Sequence, residues 1–365
     1  MVFMAFAGAV SAQMVIVAGL LQSLLGINYG LSVALTIAAM VILALMGGMK
    51  GLARINMIHI IVLMISVVAM FIAVMTTIGW NFGQVVDELA PQGTFKLFGG
   101  SRSTVYIVGA LAVQPFVTVV NALTIAGTIG SKTAKKAMLA QGMLPIFAVL
   151  FFGGVIIVAC CGKFLWPDIE PSSAWYTIAN YYGPVMGAVA SCGVLAASMS
   201  TAPSQIMMMS SSAMEVYVST SKRPIDEKRK MFLTKLLIIV CGVGFQLLGL
   251  ISSDIVSILS NAYTVWAVCG LTFTIALLWK RPNEKAMFIS ILLGVITCGV
   301  WLVYGYIFGT TPFGIQITYA AAVVSIVTEV AVTLATSPRG PSESYLRYQA
   351  ARQEMKAAAA RGEEV

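Results

Sequence analysis

Apolar runs of about 18 or more residues recur along nearly the whole chain, broken by short polar or glycine-containing stretches. Each is long enough to cross roughly 30 Å of hydrocarbon as a helix. Strict alternation with a period of two is absent, which argues against an outer-membrane barrel. A soluble domain is near a quarter charged; here 59% of residues are hydrophobic and 10% charged, so a water-facing surface of ordinary size is excluded. The expected fold class is therefore an all-α membrane protein with about ten transmembrane helices. They fall roughly at 2–25, 29–47, 52–79, 103–127, 137–160, 183–218, 231–251, 255–279, 284–305 and 313–335.

Local signals refine this division. Gly26-Ile-Asn-Tyr-Gly30 reads as a tight turn, and Gly47-Gly48 as the break between the second and third spans. Pro203 lies inside the long 183–218 segment. A proline removes a helical hydrogen bond and crowds the preceding turn, so a kink or short re-entry is expected there. No Lys or Arg precedes the first apolar run, unlike a secretory signal, so that run is read as a retained span. After Ser337-Pro-Arg-Gly-Pro the composition turns polar, and 342–362 reads as a short helix. The chain thus divides into a transmembrane domain, 1–336, and a polar cytoplasmic tail, 337–365.

Net charge is +8, but no soluble basic domain exists to hold nucleic acid, so the lipid bilayer is the partner this charge addresses. With the 48–54 loop placed inside, all of the 22 Lys and Arg except Lys96, Arg102 and Lys163 fall on the same side. Cytoplasmic loops carry such an excess, so a multi-pass protein of the cell membrane with both termini cytoplasmic is expected. The outer loops 80–102 and 161–182 carry Trp80, Trp166, Trp175, Tyr176, Tyr181 and Tyr182. These aromatics fit either a membrane-interface belt or the packing of an outer vestibule. The six cysteines form no CxxC pair and read as small buried hydrophobes.

Polar groups in hydrocarbon are costly, so function is sought where they cluster. The densest cluster is Ala196-Ala-Ser-Met-Ser-Thr-Ala-Pro-Ser-Gln205, followed by Ser210-Ser-Ser212. Ala197, Ser200, Thr201 and Ser204 share one helical face, at i, i+3, i+4 and i+7. Two hydroxyls beside backbone carbonyls suit a monovalent cation such as Na⁺, and carbonyls freed near Pro203 add acceptors, as in broken transporter helices. Equally, such hydroxyls can bond back to the i−4 carbonyl or join neighbouring helices. Gln114 and Asn121, around Pro115, and Tyr263 in Asn261-Ala-Tyr-Thr-Val-Trp266 are candidates for lining a solute cavity, with interhelical packing as the alternative. His59, the only histidine, can serve as a proton relay or a structural side chain. Glu215 and Glu329 lie toward cytoplasmic helix ends, where snorkelling or pairing with loop basics is expected. No catalytic triad, P-loop or metal-ligand spacing occurs, so an enzyme is not expected.

The polar helix, with Ser210-Ser-Ser-Ala-Met-Glu-Val-Tyr217 after it, resembles the signature helix of the sodium:solute symporter family. Gly47-Gly-Met-Lys-Gly51 is similar to that family's Gly-Gly-x-Lys/Arg-Ala loop. Gly127-Thr-Ile-Gly-Ser-Lys-Thr-Ala-Lys-Lys-Ala137, after Gln114-Pro115, is similar to the loop following its Gly-Gln-Pro helix. The order and spacing of all three match up to about residue 335. Where the family usually shows Thr-Asp-x-x-Gln, this chain has Ile55-Asn-Met-Ile-His59, and the Gln-Pro helix lacks a following arginine.

The resemblance implies a leucine-transporter-like, five-plus-five inverted repeat with two further C-terminal helices. It implies Na⁺ as the coupling ion, held by Ala197, Ser200 and Thr201, and a small-molecule solute as the transported partner. Aligning the motifs makes 183–218 the eighth core helix, so residues 2–25 become the third and the repeat is partial, with the N-terminal helices lacking. Two functions stay open at this level: a sodium-coupled symporter, and a non-transporting regulator or assembly subunit on the same scaffold. Solute identity, stoichiometry and oligomeric state are not legible in the sequence.

Overall fold

A computed structural model describes residues 2–96, 98, 103–131, 133–169, 174–221, 225–250, 255–336, 341 and 343–361. Every extended element among them is a helix. In chain order they are α1 (Val2–Leu25), α2 (Tyr29–Thr77), α3 (Phe82–Leu89), α4 (Thr104–Val120), α5 (Ala122–Ile129), α6 (Ala134–Leu165) and α7 (Ala174–Tyr181). There follow α8 (Pro184–Thr220), α9 (Glu227–Leu247), α10 (Ile255–Leu278), α11 (Glu284–Phe308), α12 (Ile317–Thr336) and α13 (Glu343–Ala360). Among the described residues, nine segments are long and apolar enough to cross a membrane, and α4 is a shorter apolar helix of 17 residues. The nine and α4 together match the ten segments expected.

The second and third spans run as one helical stretch whose backbone breaks at Gly48 (φ 51°, ψ 177°). That combination is essentially confined to glycine, so the break follows from the Gly-Gly pair itself. The turn between α1 and α2 has Gly26 at φ 64°, and Asn28 caps α2 by accepting from the Leu31 N–H at 2.8 Å. In contrast, α8 shows no re-entry at Pro203; it is one 37-residue helix. At 1.5 Å per residue it is about 55 Å long, well beyond the hydrocarbon layer. The missing N–H of Pro203 costs one bond; nearby, Ser204 Oγ donates to the Ser200 carbonyl at 3.0 Å and Ser210 Oγ to the Ile206 carbonyl at 2.9 Å.

The chain separates into two compact units. One comprises Ala9–Thr104 and Gln141–Ile255, and within it α8 packs on α2, α7 and α9. Close approach is made possible by small residues: there is no room for a Cβ at Gly193 against Ser66, nor at Gly162 against Ile178. The loop aromatics in this unit pack as a cap rather than standing apart. Trp166, Trp175 and Tyr182 surround a buried cluster of Met70, Val74, Val85, Leu89, Val158 and Ile178. Trp166 stacks on Tyr181 at 4.3 Å, and Tyr182 Oη pairs with Thr77 Oγ1 at 2.9 Å.

The other unit comprises Met1–Gly8, Val105–Ala140 and Val256–Val365. Its α11 and α12 pack along their lengths. A hydroxyl seam joins the helices: Thr264 to Thr318 at 3.2 Å, Thr272 to Ser290 at 3.2 Å, and Ser290 Oγ to the Ser325 carbonyl at 2.7 Å. Gly270 of α10 lies directly against the Phe116 backbone of α4, where no Cβ would fit. Lys280 Nζ sits 5.8 Å over the Tyr345 ring of α13.

Candidate functional site

On α8 the predicted face exists as a set of oxygens. The Ala197 carbonyl accepts from Ser200 Oγ at 2.8 Å and from Thr201 Oγ1 at 2.9 Å, and the two hydroxyls are 3.5 Å apart. Both hydroxyls thus converge on a carbonyl that also accepts the helical N–H of Thr201. The arrangement is the back-bonding expected of helical hydroxyls, yet it is also three oxygens gathered on one triangular face. All three residues are half-buried, while Ser198, Ala202, Ser204 and Gln205 around them are buried. Pro203 leaves the Met199 carbonyl without its helical N–H donor, an additional acceptor within one turn.

The sequence singled out Asn56 only as a departure from the family pattern. In the structure Asn56 Nδ2 donates to Ser204 Oγ at 3.3 Å, which ties α2 to the polar face of α8. Asn56 Oδ1, His59 Nδ1 and Gln205 Oε1 are buried without a hydrogen-bond partner. A neutral amide therefore links α2 to the face where the family usually shows a carboxylate.

In the other unit, Gln114 and Tyr263 come together in one cavity of about 270 Å³, with Tyr106, Ser260, Thr264 and Gln316 also on its wall. Tyr106 Oη donates to Ser260 Oγ at 3.4 Å across it. Asn121 is not on that wall. It stands at the break between α4 and α5, and its carbonyl accepts from the Ile125 N–H at 3.0 Å. Trp266 is buried against Phe6, ring centres 5.0 Å apart, and acts as packing behind Tyr263.

The two acidic residues behave differently. Glu215 is exposed near the end of α8, as expected. Glu329 neither snorkels nor pairs: it is fully buried in α12, and neither carboxylate oxygen has a partner. Seven residues, about 10 Å, separate it from the helix end at Thr336, too far for a side chain with two methylenes. Sequence reasoning missed this site, although Ser325, Glu329 and Thr333 at i, i+4 and i+8 were a readable signal of one polar face.

The chain matches the sequence profile of the sodium:solute symporter family over residues 1–294. That is well over half of its length. The chain belongs to the sodium:solute symporter family. It is thus built as a Na⁺-coupled solute carrier, a transporter and not an enzyme. Among curated relatives it is 25% identical over 339 residues to the osmoregulated proline transporter OpuE of Bacillus subtilis, covering 87% of this chain and 68% of that protein. It is 24% identical to the high-affinity proline transporter PutP of the same organism, covering 80% of this chain and 63% of PutP. Among solved structures, a Na⁺-coupled sialic acid symporter in a substrate-bound outward-open state shares the fold. The TM-score is 0.70 at 16% identity, over 92% of this chain and 73% of that one.

Proposed function

We propose that this symporter-family chain couples solute movement to Na⁺ held on α8 by the Ala197 carbonyl and the Ser200 and Thr201 hydroxyls. The observation that carries the reading is the convergence of those three oxygens on one half-buried face. Na⁺ bound there stabilises the solute-ready state, so the solute gains affinity by the amount the ion discriminates between states. The solute is contacted from Gln114 and Tyr263 across the 270 Å³ cavity, with Asn121 at the α4–α5 break just beyond Gln114 in sequence. A hydrocarbon-embedded helix break is tolerated where it lines a cavity. Because the relatives named above are proline transporters, a small amino acid such as proline is the first solute to test.

Uptake of labelled proline, other amino acids and sugars into proteoliposomes, with and without an inward Na⁺ gradient, tests the reading. Na⁺-stimulated uptake that falls sharply in Ser200→Ala and in Thr201→Ala is expected. Stimulation left intact in both variants would remove the ion from this face. Absence of any Na⁺ effect for every solute would favour the regulator reading instead.

A further inference from the structure

On α12, at its contact with α11, a buried carboxyl group has no hydrogen-bond partner among the described residues. Glu329, Ser325 and Thr333 are each fully buried, and Glu329 Oε1, Glu329 Oε2, Ser325 Oγ and Thr333 Oγ1 all lack a hydrogen-bond partner. This departs from the habit of the same unit. Thr264, Thr272, Thr274, Thr297 and Thr336 each close their hydroxyl on the carbonyl one turn back. The two hydroxyls left open are those one turn to either side of Glu329. The contact between α11 and α12 beside Ser325 is close, since a Cβ on Gly294 would collide with Ser325 Oγ. Ser290 Oγ already donates to the Ser325 carbonyl, which leaves the Ser325 hydroxyl free to act elsewhere.

An isolated ionised carboxylate in a dry interior costs several kcal/mol or more, and intramembrane acids persist where they serve a pathway or a bound cation. The charged side chains on the helices packed against α12 are Lys280 and Arg281 after α10, and Glu284 and Lys285 opening α11. All lie at helix ends, and no ion pair to Glu329 exists among the described residues. The remaining titratable groups on those helices are thiols and phenols, among them Cys269, Cys298, Tyr263 and Tyr304, and these carry no positive charge.

We propose that Glu329, with either the Ser325 or the Thr333 hydroxyl one turn away, forms a monovalent-cation site within the α11–α12 interface, filled by a proton or by Na⁺. With a proton, the carboxyl donates to one neighbouring oxygen and accepts from a hydroxyl. With Na⁺, both carboxylate oxygens and one of the two flanking hydroxyl oxygens are ligands of the hard-oxygen type such an ion takes. The site is distinct from the α8 face, so it stands whether or not Ala197, Ser200 and Thr201 hold an ion. Thr333 lies one turn from exposed Thr336, which gives the cation a short path from the helix end.

Infrared difference spectroscopy on the full chain in lipid nanodiscs tests this directly. Spectra are taken in choline chloride and in NaCl across a pH series, for wild type, Glu329→Gln and Ser325→Ala/Thr333→Val. If a proton fills the site, a protonated-carboxyl stretch absent from Glu329→Gln persists at neutral pH, disappears on alkalinisation and ignores Na⁺. If Na⁺ fills it, NaCl at constant pH converts that stretch to a carboxylate band, and does so also in a Ser200→Ala/Thr201→Ala background. Removing both hydroxyls moves the pH or Na⁺ midpoint by about tenfold or more, given the strength of hydrogen bonds to charged groups. That double variant keeps the carboxyl and so reports even if Glu329→Gln fails to fold. A Glu329 signal titrating as an ordinary carboxyl, at roughly pH 4.3, with no response to Na⁺, would overturn the proposal. So would spectra unchanged by pH, Na⁺ and substitution.

Discussion

At the scale of single residues, the α8 face illustrates how one geometry satisfies two chemical states. In the described arrangement Ser200 and Thr201 donate to Ala197, and under the proposed function the same oxygens would serve as the ion's ligands. Each hydroxyl removed takes one ligand from the ion, so Ser200→Ala and Thr201→Ala are each expected to weaken apparent Na⁺ affinity about tenfold or more. The measurement is the Na⁺ concentration for half-maximal uptake. Ser204 plays a different part. Its hydroxyl accepts from Asn56 and donates to the Ser200 carbonyl, so Ser204→Ala strands an amide whose Oδ1 is already unpartnered. A loss of about 1–3 kcal/mol in stability is expected, read as a lower melting temperature in detergent. An unchanged melting temperature would mean that water replaces the bond and that the link between α2 and α8 carries little.

At the scale of elements, two glycines do work that no other residue can. Gly48 sits at φ 51°, ψ 177°, so Gly48→Ala is expected to cost on the order of 1–3 kcal/mol through backbone strain alone. Gly270 faces the Phe116 carbonyl with no space for a methyl group. Backbone cannot move aside as a flexible side chain does, so Gly270→Ala must push α4 away from α10. Gly299→Ala in α11 is the control, because a Cβ there meets nothing within 4 Å. Thermal unfolding of the two variants should diverge, with Gly270→Ala lowered and Gly299→Ala unchanged or slightly raised by better helix propensity. The elements themselves were largely legible: hydropathy set the spans, and Gly47-Gly48 and Gly26 marked breaks that the structure contains. Pro203 announced a lost hydrogen bond, but the helix runs on through it rather than re-entering. The Ala197–Ser200–Thr201 grouping was readable because it lies within one turn. The Asn56–Ser204 contact joins residues 148 apart in sequence, and the burial of Glu329 depends on which face α12 turns to α11. Periodicity shows the polar face of Ser325, Glu329 and Thr333 but not which partner it meets, nor the Asn56–Ser204 contact.

At the scale of the whole molecule, the arrangement of charge against apolar length fixes what the chain can be. Nine described segments are long and apolar enough to cross a bilayer, and backbone groups in hydrocarbon must be satisfied within each helix. Orientation is then the remaining freedom, and the basic residues choose it. The 222–235 stretch alone holds Lys222, Arg223, Lys228, Arg229, Lys230 and Lys235, while the 161–182 loop holds only Lys163 beside Asp168 and Glu170. Holding the first stretch inside is favoured by the cytoplasmic bias of Lys and Arg, and it carries the C-terminal helix α13 to the same side. Single cysteines introduced at Lys228 and at Lys163 of a cysteine-free variant test this in intact cells with a membrane-impermeant thiol reagent. Labelling is expected at position 163 in intact cells, and at position 228 only after the membrane is opened. The reverse pattern would invert the protein in the bilayer and would turn the α12 end at Thr336, one turn from Thr333, toward the outside. It would therefore also decide from which compartment a cation reaches Glu329.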